Sequence, residues 1–111
     1  MPPVPELTPT EFCERWPAAT RASEVTLLDV REHVELELAA VNGATHIPMR
    51  DVPARLVELD RDAPLVVMCH SGGRSRRVAE YLASNGFQKV FNLRGGIDAW
   101  STEIDPQVPR Y

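Results

Sequence analysis

The stretch LVVMCHSGGRSRRVAEYLASNG, Leu65 to Gly86, constrains this chain more than any other. Four apolar residues lead into Cys69, a short glycine-bearing loop follows, and helix-forming residues run from near Ser75 to a stop at Gly86. Strand, loop and helix N-terminus come in one piece. A cysteine at that junction faces backbone N–H groups and the positive end of the helix dipole, both of which favour thiolate over thiol. Cys69 reads as a nucleophile.

Between Cys69 and Arg74 stand four residues, His70, Ser71, Gly72 and Gly73. The two glycines let the backbone take positive φ and turn successive N–H groups toward one centre, an anion nest. Arg74 adds a planar charged fork suited to oxyanions, and Ser75 stands where it would cap the following helix, whose apolar positions are Val78, Ala79, Leu82 and Ala83. Such surroundings bring a thiol pKa from about 8.5 down to roughly 3.5–7.5. A thiolate so placed attacks sulfur, phosphorus or arsenic. Reading Cys69 as a packing residue before a flexible turn leaves the glycines, the arginine and the helix start as coincidences.

The 111 residues suffice for one domain with a core, 1–111, and are too few for two. Helical patterns alternate with short apolar runs throughout, specifying an α/β domain with a mainly parallel sheet and helices on both faces. MPPVPE, residues 1–6, reads as an extended lead-in. Thr8, Pro9 and Glu11 spell a capping box for a helix carrying Phe12 and Trp16, with Leu7 stapled onto Phe12. VTLLDV (25–30), ATHIP (44–48), LVVM and the segment from Val90 to Leu93 read as strands. EHVELELAAV predicts a helix with Val34, Leu38 and Val41 on one side, and RDVPARLVELD a helix capped by Asp51 with Val52, Leu56 and Leu59 inward. RGGIDAW opens a last short helix, and residues 101–111 form a proline-broken tail.

Asp29 and Arg31 fall at the C-terminal end of a strand, where open α/β sheets place ligands; they read equally as supporting site residues or as a structural ion pair. His46 reads as a hydrogen-bonded packing residue rather than a base, and Cys13 as packing rather than as a second sulfur-accepting thiol. Arg76 and Arg77 draw anions or are simply solvated. The histidines have no metal-ligand spacing, so neither a metal nor another cofactor is expected. A net charge of −4 argues against nucleic acid as a partner, and no apolar run approaches the roughly 20 residues that span a bilayer. No signal peptide is expected, and two cysteines make no disulfide framework, which suggests a reducing cytoplasm.

LLDVRE, GATHIPM, VVMCHSGGRS and LRGGIDAW, in this order, resemble the rhodanese-like sulfurtransferases from Leu7 to Trp100. The resemblance implies a three-layer α/β/α fold around a five-stranded sheet. It also implies a Cys69 persulfide cradled by the amides of His70 to Ser75, formed from a small anionic donor such as thiosulfate or from another persulfide. Phosphatases and arsenate reductases of similar fold carry a loop one residue longer, wide enough for a tetrahedral oxyanion, so sulfur transfer leads; they remain the alternative, with a non-catalytic interaction module. A histidine customary before the second strand is replaced here by Ala40. The ending AWSTEIDPQVPRY resembles rhodanese domains joined to ubiquitin-activating-like adenylyltransferases, implying a sulfur-carrier or adenylyltransferase protein as a partner.

Overall fold

Leu65–Met68 is apolar without interruption because both faces of the strand are covered. In the computed structural model, which describes residues 4–111, Leu27, Val66 and Met68 enter one core with Phe12, Trp16, Ile97 and Trp100. Leu28, Leu65 and Val67 enter a second core with Val78, Ala79 and Leu82. The alternation of neighbouring residues between two cores is the strand period of two, and it defines three layers.

Five strands, β1 (Glu6–Leu7), β2 (Thr26–Asp29), β3 (Thr45–His46), β4 (Leu65–Met68) and β5 (Val90–Leu93), pair in the order β1-β5-β4-β2-β3, all parallel. Helices α1 (Pro9–Arg15) and α5 (Gly96–Glu103) pack on one face; α4 (Gly73–Ser84) covers the other. Two further helices, α2 (Arg21–Glu24) and α3 (His33–Leu38), flank β2 in sequence. The chain leaves β2 toward β3 on one side and leaves β4 toward β5 on the other. The gap between the C-terminal ends of β2 and β4 is therefore the switch point at which such sheets hold ligands. Cys69 follows β4 at that point.

The capping box at α1 forms as the sequence specifies: Glu11 N–H donates to Thr8 Oγ1 (3.1 Å) and Thr8 N–H to Glu11 Oε1 (2.8 Å). Leu7 packs into the cluster that holds Phe12. Four expectations change. Of the lead-in read over 1–6, residues 1–3 lie outside the described residues, and Glu6 opens β1, an edge strand that proline tolerates because Pro5 only accepts, from Asn92 N–H. The helix read over 32–41 stops at Leu38, leaving Val34 66% and Leu38 54% exposed; Glu35 and Leu36 are half-buried, Glu35 held by partners described below, and Val41 is buried in the other core. Asp51 caps nothing: it closes a 3₁₀ turn, Met49–Asp51, and Pro53 opens another, Pro53–Glu58, which is broken by the non-helical backbone of Arg55 (φ −119°, ψ 18°); the segment still buries Val52 and Leu59. The tail read from residue 101 begins inside α5, and beyond it Val108 is buried, its carbonyl accepting from Ser101 Oγ at 2.6 Å. No helix among the described residues is long and apolar enough to cross a membrane.

Candidate active site

Cys69 is 1% exposed, and the loop closes over its sulfur. Gly72 takes φ +111°, which a side chain rarely adopts, and turns the chain so that α4 starts at Gly73. The turn brings the Gly72 N–H to 3.0 Å from Cys69 Sγ. Gly73 needs no positive φ and has open space where a Cβ would sit, so only one of the two loop glycines serves the turn. Ser75 does not cap α4, whose N-cap is Gly72; it lies inside the helix, buried, with Oγ 3.3 Å from Cys69 Sγ and 2.6 Å from Asn92 Oδ1. Burial pushes the Cys69 thiol up, but the Ser75 hydroxyl and the amides of Ser75, Gly72 and Ser71 outweigh it and hold the thiol below its ordinary range.

Arg74 does not stand free over the sulfur. Its Nη1 and Nη2 donate to Glu35 Oε2 (2.7 Å) and Oε1 (2.8 Å), a bidentate pair linking the loop to α3. The fork is occupied, and Arg74 acts on Cys69 through space by its charge. That pair, ahead of the opposing effect of burial, lowers the Glu35 pKa to about 2. His70 stacks on Tyr111, rings 4.0 Å apart and 8° from parallel, while Ser71 is exposed at the loop surface.

Asp29 and Arg31 form the structural pair. Arg31 is wholly buried and its five N–H donors are all matched: Nε and Nη2 to the Asp29 carboxylate (3.0 and 2.8 Å), Nη2 also to Ala39 C=O, Nη1 to Glu35 C=O and to Tyr111 Oη. None is left for a ligand, so the pair builds the wall behind Glu35. His46 is half-buried, with Nε2 2.6 Å from Arg31 C=O and its ring edge-on to His33. Cys13 lies on α1 with Arg21 Nη2 donating to its sulfur at 3.4 Å.

Sequence reasoning missed the brace beneath the loop. The Ile97 N–H donates to Cys69 C=O (2.9 Å) and the Asp98 N–H to His70 C=O (3.1 Å), so the first turn of α5 holds the loop's carbonyls. Gly96, at φ +58°, makes this contact possible: a Cβ there would lie 2.3 Å from Cys69 O. The glycine pair in LRGGIDAW was the available signal for this close approach. Asn92, Glu35 and Tyr111 were missed too, since each reaches the loop from distant sequence.

The rhodanese-like domain family matches residues 16–103. The chain is 38% identical over 85 residues to a sulfurtransferase of Allochromatium vinosum, covering 77% of this chain and 79% of that protein. It is 34% identical over 83 residues to the thiosulfate sulfurtransferase GlpE of Tolumonas auensis, covering 75% and 78%. Rhodanese-like/PpiC domain-containing protein 12 of Arabidopsis thaliana is 35% identical over 113 residues and 98% of this chain, which spans only 38% of that protein. A rhodanese-like domain protein from Staphylococcus aureus superposes with a TM-score of 0.80 at 27% identity, over 97% of this chain and 99% of that one.

Proposed function

Since the chain belongs to the rhodanese-like domain family, we propose that it is a sulfurtransferase carrying sulfane sulfur on Cys69. The observation that supports this most directly is the activation of the nucleophile: the Gly72 N–H donates to Cys69 Sγ at 3.0 Å, and with the neighbouring loop donors it holds the thiol below its ordinary range. Cys69 thiolate attacks the outer sulfur of thiosulfate; the new Sγ–S bond forms as the old S–S bond breaks, and sulfite leaves with the bonding pair. An acceptor thiolate then attacks the outer sulfur of the Cys69 persulfide and returns Sγ to thiolate. A protein or small-molecule persulfide replaces thiosulfate in the same step, with a thiolate as leaving group. The loop amides hold the anionic sulfur, and a separate sulfur-carrier or adenylyltransferase protein is the acceptor partner in this reading.

Thiosulfate treatment should add about 32 Da, one sulfur, to the wild-type protein and nothing to Cys69→Ser. Sulfur found on Cys13 in the variant would overturn the assignment. Release of phosphate from an aryl phosphate, with no sulfur adduct from any donor, would instead establish attack on phosphorus.

A further inference from the structure

Asn92 is buried at the end of β5, behind the loop rather than in it. Its amide NH₂ donates to Glu6 Oε2 (2.9 Å) and to Gly72 C=O (3.2 Å). Both partners only accept, and Glu6 is ion-paired with Arg94, so the amide has one orientation and presents Oδ1 to Ser75. At 2.6 Å, Ser75 Oγ must donate its proton to that oxygen. A hydroxyl has one proton. While it points at Asn92, Ser75 offers the sulfur 3.3 Å away only lone pairs, a partner for a thiol S–H and not for a thiolate.

We propose that Asn92 is a positioning residue that competes with Cys69 for the Ser75 proton, so that Ser75 accepts from the sulfur when it is a thiol and donates to it when it is anionic. The switch is a rotation of one hydroxyl, with no heavy atom displaced. Its place in the reaction rests on the sulfurtransferase reading. Cys69 Sγ is neutral and carries no proton in the persulfide, so the Ser75 hydroxyl stays on Asn92 Oδ1; when the acceptor removes the outer sulfur the Ser75 proton turns to the departing thiolate. Because Asn92 takes the proton back, the thiolate is not stabilised to the point of losing nucleophilicity, which falls as thiol pKa falls.

The test is the pH dependence of Cys69 alkylation by iodoacetamide, followed by peptide mass spectrometry so that Cys13 is counted separately. It needs no sulfur donor, so failure of sulfur transfer and failure of this proposal are read in different experiments. Titratable and charged groups around the loop are Arg74 with Glu35, His70 with Tyr111 stacked on it, Asp98 on α5 with Arg110, the Asp29–Arg31 pair, and Glu6 with Arg94 behind Asn92; all are common to the variants compared. Asn92→Ala frees the Ser75 proton and should lower the Cys69 pKa by about one unit, a tenfold change in thiolate fraction near the midpoint. Asn92→Val, of similar volume and suited to a strand, serves where the alanine variant fails to fold. Ser75→Ala should raise the Cys69 pKa in the wild type, but by less than the shift of about one unit that it produces in the Asn92 variant, where no competitor draws on the hydroxyl. Equal shifts in both backgrounds, or a Cys69 pKa unchanged or raised by removing Asn92, would overturn the proposal.

Discussion

Gly96 is the residue at which the site tolerates least change. Two demands meet there: a φ of +58°, and carbonyl oxygens of Cys69 and His70 lying 2.3 and 2.5 Å from where a Cβ would stand. Those atoms are backbone, so they move only if the loop moves. Gly96→Ala should cost about 2–4 kcal/mol in unfolding free energy, from combined left-handed strain and overpacking. The same substitution should slow Cys69 alkylation out of proportion to any unfolded fraction, because the Ile97 and Asp98 donors to the loop would be displaced. Gly73→Ala is the control, since its Cβ would meet nothing within 4 Å and its φ is not positive. A Gly73 variant as impaired as the Gly96 variant would contradict this account.

At the scale of elements, α3 is a short helix anchored to the site by a half-buried acidic residue, Glu35. Glu35 receives Arg74 from the loop and Tyr111 Oη from the tail, and its own Oε2 accepts from Glu32 N–H at the start of the helix. Its pKa near 2, below the ordinary 4.5, fixes the sign of its pH effect: the unfolded chain binds the proton first, so the stabilisation is complete above about pH 4.5 and lost as pH falls toward 2. Glu35→Gln should therefore be less stable than wild type by about 1–2 kcal/mol at pH 7, the pair being half-buried, and chemical denaturation at descending pH should show that difference shrinking between about pH 4.5 and 2. A difference that grows on acidification would mean that Glu35 is not the anchor. The pair also marks where the sequence became silent. Cys69, Gly72 and the start of α4 lie within a few residues of one another, so local backbone logic finds them. Glu35 meets Arg74 across 39 positions and leaves no periodic trace, while its neighbours Val34 and Leu38 mimic an apolar face. Ser75 resembled a cap only because Gly72 and its positive φ begin the helix earlier.

For the whole molecule, the sheet order brings the ends of β2, β4 and β5 to one rim, and the segment after α5 returns to it. Two of the five strands are two residues long, too short for any alternation to reveal, and β1 follows a proline; the two-core architecture was nonetheless legible because Leu65–Met68 is apolar on both faces. The returning segment is held by the Arg110–Asp98 ion pair and by Tyr111, which stacks on His70, accepts from Arg31 Nη1 (2.9 Å) and donates to Glu35 Oε1 (2.9 Å). Burial, ahead of the opposing Arg31 bond, raises the phenol pKa, so the O–H persists as a donor through neutral pH. Tyr111 thereby touches both ends of the loop, His70 directly and Arg74 through Glu35. Tyr111→Phe keeps the stack and removes the hydroxyl, and should cost about 1 kcal/mol, chiefly by leaving Arg31 one acceptor short. Tyr111→Ala removes the stack as well and should cost about 0.5–1.5 kcal/mol more. Thermal unfolding measures both steps, and amide exchange over residues 69–75 should quicken in the order wild type, Phe, Ala. Exchange unchanged in the alanine variant would show that the tail merely rests on the loop and does not brace it.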